Sequence, residues 1–460
     1  QPLYVAVKTR QQVAAAGGEV TVDFYLINEK NVRGNHQLKI SVTDSQGKVM
    51  EVGTYETEAA GGEVYGQLLV KDVKIPVPTA GGLCRIEAKL CKENSVVTTG
   101  YDDILSVNLA SNMLDGKGAV WEDGSALQNF LKGKTKEAVA AYEDNLGKLD
   151  WIMVARPPRK DQLTMVPMEA LRSADGKPGL DVVYYEDMEF QKEVYHEVAK
   201  VVNLSAIEGA TPSPFVYMLD GYGIKWSGKV LPSVSGEYTI IPQSNDRSMI
   251  EVFVNGKKIY EITRKKEHLG DGKVYLEEGK SADIEIRFRH PRSNARCRLD
   301  WAVPNDKMPD AQRLMERAVN DGTKIFIIQS ADEWSEFIAA NSKAVFKDKF
   351  FVGTNWLGGV MFNKPHDIFK ELPVGNALNW PYQALIHTGV ERMGLVMEGE
   401  ELLVGAYHTY PMAIGTAMGI VPMGKGSVLF STLDIYGNII NDSAAGLVAK
   451  KLIFNMIDFK

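Results

Sequence analysis

Over the first hundred residues, apolar and polar positions alternate with a period of two. Val20, Val22, Phe24 and Leu26 form one such run, and Leu38, Ile40 and Val42 form another. Residues 44–48, Asp-Ser-Gln-Gly-Lys, supply a turn after the second run. Short alternating runs bounded by turn residues predict antiparallel strands, so residues 1–109 read as a β-sandwich. From residue 110 the period changes. Val120 and Trp121 predict a short strand, and Ala126, Leu127, Phe130 and Leu131 have helical spacing. Residues 138–142 and 151–155 read as further strands with a short helix between them. Strand–helix alternation predicts a parallel α/β sheet.

That pattern stops at Pro157-Pro158 and resumes only after Pro304. Leu314, Met315, Ala318 and Val319 then form a helix stripe, Gly322 suits its C-terminal cap, and residues 324–328 form a buried strand. Ser330 and Glu333 have the spacing of a capping box for the next helix, whose inner face is Trp334, Phe337 and Ile338. Strands are predicted at 402–406, 416–421 and 427–431, within a parallel sheet. A final helix buries Leu447, Val448, Leu452, Ile453 and Met456. Between the two α/β segments, residues 179–304 are rich in β-branched and aromatic runs punctuated by Gly, Asn, Asp and Pro. Asn255-Gly256 supplies the positive φ angles of a type I′ hairpin between the strand at 252–254 and the one at 257–259. The expected fold class is therefore multidomain and mixed. It comprises an all-β immunoglobulin-like sandwich (1–109) and an α/β flavodoxin-like domain in two parts (110–178 and 305–460), carrying an inserted β-sandwich (179–304). Insertions are tolerated where the ends of a loop lie close together.

The inserted stretch has a specific order of pieces. It opens with Gly179-Leu-Asp-Val-Val-Tyr-Tyr185. Trp226 and Gly228 follow, then Ser235-Gly-Glu-Tyr-Thr239, and a polar corner from Ser244 to Arg247. Next come the Asn255-Gly256-Lys257 turn and a closing Leu299-Asp-Trp301. This order resembles the protective-antigen-type carbohydrate-binding domain. The resemblance implies that Asn245, Asp246 and Arg247 bind carbohydrate. Some relatives hold calcium with paired aspartates at this corner; here the pair is Asn245-Asp246, so little calcium dependence is expected.

Residues 24–34, with the following strand and turn, resemble the sandwich of glycoside hydrolase family 2, the β-galactosidase family. Four segments of the resumed α/β half resemble the class I glutamine amidotransferase-like domain found at the C-terminal end of many bacterial enzymes of that family. They are Thr354-Asn-Trp-Leu-Gly-Gly359, residues 364–373, Asn379-Trp-Pro-Tyr-Gln383 and residues 424–431. Together these resemblances imply the non-barrel part of a bacterial family 2-type glycosidase, periplasmic or extracellular. Its partners would be an oligo- or polysaccharide and the catalytic barrel of the same parent protein. The alternatives are a free-standing glycan-binding protein, and an unrelated hydrolase with a site built from scattered carboxylates.

The chemistry legible in the residues is sparse. No cysteine lies in 110–178 or 305–460, so the amidotransferase nucleophile is absent. Asn28-Glu29 has the look of a glycosidase general acid. Such an acid needs a second carboxylate roughly 5 Å away at the end of a barrel strand, and no barrel pattern surrounds this pair. Gly419–Gly426 nearly spells a phosphate loop, but Gly426 stands where Ser or Thr is needed. The seven histidines show no ligand spacing, and no metal or cofactor is expected. Cys84 and Cys91 lie seven apart on one predicted strand and cannot pair there. A net charge of −7 argues against a nucleic-acid partner, and no apolar run is long enough to span a bilayer. Trp356, Trp380 and His408, in Gly- and Pro-rich segments, are expected on loops at the carboxyl edge of the α/β sheet, where their rings suit sugars.

Overall fold

The computed structural model describes residues 2–459 apart from 94, 110–112, 159–162, 206–211, 214–215, 217–220, 245–246, 293–294, 305–308, 353–358, 388–392, 410–411 and 440–443. The fold is β-rich, with two compact units. One holds residues 1–114, 363–384 and 441–460, and the other holds 115–362 and 385–440.

In the first unit, strand Glu19–Asn28 pairs antiparallel with Leu3–Thr9 and Gly66–Pro76 to make a three-stranded sheet. A five-stranded sheet runs in the order Val13–Ala15, Ser95–Val107, Gly82–Lys92, Gly34–Thr43, Val49–Ala59. The alternating apolar positions do what their period requires. Phe24, Leu26, Leu38, Ile40, Val42 and Ile86 are all fully buried in one core. Burying each such side chain stabilises the sandwich by roughly 1.5–3 kcal/mol. Gly100 permits a close approach of two strands, since a Cβ there would sit 1.6 Å from the Val5 carbonyl oxygen. Asn28 is buried at the end of its strand. Its amide donates to the Val32 carbonyl at 2.8 Å and its Oδ1 accepts the Val32 N–H at 2.9 Å, closing a turn. The Asn28-Glu29 pair thus has a turn-forming role. Cys84 and Cys91 are both buried free thiols.

The C-terminal helix Ala444–Asp458 packs on strand Val13–Ala15 and on the short turns Asp367–Phe369 and Trp380–Tyr382. Lys451, almost fully buried, is held there by the Glu371 carboxylate and donates to the Asn108 carbonyl at 3.2 Å. The sequence pattern placed 363–384 and 441–460 with the α/β sheet; the contacts group them with the sandwich.

The second unit contains a ten-stranded sheet. Its parallel part runs in the order Ala140–Ala141, Gly118–Glu122, Trp151–Ala155, Lys324–Ile327, Gly426–Ser431. In chain order this is second, first, third, fourth, fifth, the flavodoxin-like arrangement. Strands on both sides of the inserted stretch pair directly, Trp151 opposite Lys324 and Val154 opposite Ile327.

Beyond Gly426–Ser431 the sheet departs from expectation. Met412–Met423, Met393–Glu398 and Val345–Phe351 continue it antiparallel. The reason is connection length. Met423 pairs with Gly426 across the two-residue turn Gly424-Lys425, with Gly424 at φ 59°. A parallel pairing needs a crossover of a dozen or more residues. This turn also disposes of the phosphate-loop resemblance, because a strand rather than a helix follows it. The short helix expected after residue 142 is likewise replaced by turns. Arg317, from helix Ala311–Asp321, donates to the carbonyls of Asp144 (2.9 Å), Leu146 (2.6 Å) and Gly147 (3.1 Å). Those carbonyls are then lost to helical bonding.

The inserted module has an eight-stranded and a five-stranded sheet over one core. Trp226 meets Phe288 edge-on at 6.2 Å and Tyr238 lies 5.2 Å from Trp301, all four rings buried. Asn255 and Gly256 adopt φ 49° and 74° and join Val254 to Lys257, as a type I′ turn requires. Hydrogen bonding of the module begins ahead of Gly179. Thr164–Met165 pairs with Arg296–Ala302, and Leu171–Arg172 pairs with Tyr222–Val230.

Candidate functional site: a polar corner and the carboxyl edge of the sheet

The polar corner joins strand Gly236–Ser244 to strand Met249–Val254. Arg247 is exposed there and holds a left-handed backbone at φ 81°. For a residue with a Cβ this costs about 1–2 kcal/mol. The next residue anchors the corner. Ser248 is buried with its Oγ 3.1 Å from Nδ1 of the fully buried His290, which stacks on Phe288 at 5.8 Å. The buried Ser–His contact holds the chain beside Arg247, whose side chain is exposed. Asn245 and Asp246 lie outside the described residues, as does Trp356.

The remaining expected ligand residues separate. Trp380 is half-buried in the short turn Trp380–Tyr382 of the first unit. Its neighbour Tyr382 is a packing residue. The Tyr382 hydroxyl donates to the Pro373 carbonyl at 2.6 Å and accepts from the Asn363 amide at 3.2 Å, and burial pushes its pKa up. His408 belongs to the second unit. It was expected on a loop but lies half-buried within strand Glu401–Thr409, opposite Ala413, because the antiparallel hairpin takes up that segment.

In an open α/β sheet the ligand crevice lies at the carboxyl ends of the strands, where strand order reverses. Here that point falls between Gly118–Glu122 and Trp151–Ala155, and the chain fills it with its own groups. The Glu122 carboxylate accepts the N–H groups of Leu127 (3.0 Å) and Gln128 (2.9 Å) at the start of helix Ala126–Leu131, and the Tyr436 hydroxyl at 2.8 Å. Burial raises the Glu122 pKa; these three hydrogen bonds pull against it. Asp123 pairs with Arg156, both buried, and accepts the Thr164 hydroxyl at 2.7 Å. Burial lowers the Arg156 pKa, opposed by Asp123. The Trp334 indole donates to the Arg156 carbonyl at 2.7 Å.

One strand further along, the edge is open. A cavity of about 50 Å³ lies beyond the ends of Lys324–Ile327 and Gly426–Ser431. Ser330, Gln329 and Asp434 line it from the α/β side, and Asn203 and Arg298 from the module. Ser330 was expected to cap the helix Ala331–Ala340. Instead it has φ 54° and ψ 35°, and its side chain makes no capping bond. A left-handed serine turns its hydroxyl away from the helix N–H groups; only its carbonyl receives the Glu333 (3.0 Å) and Trp334 (3.3 Å) N–H groups. The sequence reading did not single out Asn203 or Arg298. Both lie on β-strands of the module, and nothing local in the sequence marks them as facing a cavity.

Among the described residues, no group of three or more His, Cys, Asp or Glu is placed to hold a metal ion. No helix among them is long and apolar enough to cross a membrane.

Residues 176–313 match the family model of the PA14 domain, so the chain contains a domain of that type. Among curated proteins, the anti-sigma-I factor RsgI3 of Acetivibrio thermocellus is 28% identical over 127 residues, 27% of this chain and 19% of that protein. The chain thus spans about a fifth of the length of that relative. Among solved structures, a β-glucosidase from Kluyveromyces marxianus aligns with 49% of this chain and 30% of its own, at 13% identity and a TM-score of 0.34. A glycosyl hydrolase family 2 member from Bacteroides cellulosilyticus aligns with 34% of this chain and 23% of its own, at 15% identity and a TM-score of 0.19. Both structural likenesses are too loose to bear on function.

Proposed function

We propose that this chain is the carbohydrate-binding, substrate-positioning portion of a larger family 2-type glycoside hydrolase whose catalytic barrel lies outside it. The observation that carries the reading is the PA14 match over residues 176–313, set within a chain whose flanking segments resemble the non-barrel domains of that enzyme family. In this reading the immunoglobulin-like sandwich covers 1–109. The amidotransferase-like α/β domain is drawn from 110–178 and 305–460, apart from 363–384 and 441–460, which group with the sandwich, and the binding module covers 179–304 with strand pairing from Thr164 onward. The protein works in the periplasm or outside the cell.

The corner Asn245, Asp246 and Arg247 is the proposed glycan site. Its amide, carboxylate and guanidinium can match paired hydroxyls with both donors and acceptors. Each hydroxyl bond replaces one to water and nets about 0.5–1.5 kcal/mol. After association costs, binding is on the order of −4 to −6 kcal/mol, or millimolar to high-micromolar dissociation constants. Tethering to a barrel makes such weak binding useful by raising the effective concentration of a polymer.

The test is calorimetric titration of the chain with a panel of β-linked oligosaccharides, with and without chelator. Binding that survives chelation and is lost in Asp246→Ala supports the corner. Flat titrations at tens of millimolar across the panel reduce the module to a spacer. The PA14 match by itself also fits a second reading, a free-standing glycan-binding protein without hydrolase activity. The two readings part on whether the encoded protein continues into a βα-barrel.

A further inference from the structure

We infer that the cavity at the carboxyl ends of Lys324–Ile327 and Gly426–Ser431 is a second carbohydrate subsite, one that takes the hydroxyl-bearing edge of a neutral sugar. This rests on the carbohydrate-binding reading above but uses different residues.

The first ground is an idle polar group in a built place. Ser330 lines the cavity and is 7% exposed, and its hydroxyl makes no capping bond to the helix it precedes. Two amide oxygens on the same lining, Oε1 of Gln329 and Oδ1 of Asn203, are buried without a partner. Buried polar groups are nearly always satisfied by protein, water or ligand. Two acceptors left open beside a serine hydroxyl on one cavity therefore point to a polar occupant.

The second ground is charge. Arg298 is held by both oxygens of Asp300 at 2.7 Å. The Asp332 carboxylate is taken by Lys349 at 2.7 Å, and Asp434 accepts the Gly437 N–H at 3.0 Å. Donors and acceptors are mixed and the cations are matched by carboxylates. That suits a neutral polyhydroxyl better than a phosphate or carboxylate.

The third ground is size. A space of about 50 Å³ holds roughly three to five waters, each needing about 10–15 Å³ of such space. It admits an exocyclic hydroxymethyl with a neighbouring hydroxyl, while the rest of the ring stays outside.

The same geometry argues against a nucleophilic serine. The two carboxylates on the lining are bound elsewhere, and no base is hydrogen-bonded to the Ser330 hydroxyl. The role is binding.

The experiment is titration of the whole chain with methyl β-galactoside, methyl β-glucoside and glycerol, followed by amide chemical shifts. It compares the parent with Ser330→Gly, Asn203→Ala and Arg247→Ala. Ser330→Gly removes the hydroxyl while relaxing the left-handed backbone, so folding is retained. The expected result is binding of at least one glycoside that shifts the amides of residues 329–332, weakened about three- to tenfold at those amides by Ser330→Gly and by Asn203→Ala, while Arg247→Ala acts on shifts at the corner. Glycoside binding that is indifferent to Ser330→Gly but lost in Arg247→Ala overturns the crevice and leaves the corner standing. Binding of longer oligosaccharides with none of the three small probes also overturns it, without touching the proposed function. No binding of any sugar at all overturns both.

Discussion

Two places on the carboxyl edge of one sheet answer the same geometric opportunity differently. Between Gly118–Glu122 and Trp151–Ala155, where strand order reverses, the crevice is closed by Glu122, Asp123, Arg156 and Thr164. Beyond Lys324–Ile327 and Gly426–Ser431 a cavity remains, bordered by a serine hydroxyl that caps no helix. Topology favours the first position, where strand order reverses, yet the cavity lies at the second. The difference lies in which side chains leave the strand ends. A carboxylate after the first strand satisfies the helix N–H groups that an anionic ligand would otherwise take. The hydroxyl of a serine on a left-handed elbow after the fourth caps no helix N–H group. Fold-level likeness to flavodoxin-type proteins therefore says little about what this sheet binds.

The closed end is also where the largest effect is expected. Among the described residues, Arg156→Met leaves the Asp123 carboxylate with the Thr164 hydroxyl alone against it. Removing one partner of a buried pair costs about 3–5 kcal/mol, and both side chains here are nearly fully buried. Urea unfolding should show a loss of that size. A loss below about 1 kcal/mol would show that the closed end is not held by this pair.

A smaller effect separates the two ends by pH. Burial raises the Glu122 pKa above its unfolded value. For an acid shifted this way the native state binds the proton more tightly than the unfolded chain does. Its contribution to stability is therefore full below the ordinary carboxylate range and declines as pH rises through the folded pKa. The slope is at most about 1.4 kcal/mol per pH unit. The difference in stability between the parent and Glu122→Gln, measured from pH 4 to 8, should shift in favour of the variant as pH rises. A flat difference would mean that the Tyr436 hydroxyl and the two backbone N–H groups compensate the burial fully.

The closed and open ends were not equally legible in the sequence. The strand at Lys324–Ile327, the helix Ala311–Asp321 with its left-handed Gly322, and the Asn255-Gly256 turn all follow from local rules, and the structure has them. Local rules fail where a distant side chain intervenes. Arg317 takes the carbonyls that a helix after Tyr142 would have used. Ser330 has the spacing of a cap, yet its φ of 54° is set by the elbow and not by its neighbours in sequence. The cavity was illegible for the same reason, since Asn203 and Arg298 reach it from another sheet. At the polar corner the residue types were readable, but of the three only Arg247 falls among the described residues.

The smallest expected effect tests whether the open end is held under strain for a purpose. Serine in the left-handed region costs about 1–2 kcal/mol, and glycine reaches it freely. A Cβ-bearing residue persists there only when its surroundings impose the conformation, and such outliers cluster at ligand sites. Ser330 contributes no capping bond in return for that cost. Ser330→Gly should therefore stabilise the protein by about 1 kcal/mol, the relief being partly offset by the greater entropy of glycine in the unfolded chain. Thermal melts would register this as a rise of a few degrees. Ser330→Ala, which keeps the Cβ and loses only the hydroxyl, should leave stability almost unchanged. The informative quantity is the gap between the two variants. A stable glycine variant beside a neutral alanine variant places the cost in the backbone and frees the hydroxyl for a ligand. Equal destabilisation in both would mean that the hydroxyl is bonded within the fold, and the two ends of the sheet would then be closed alike.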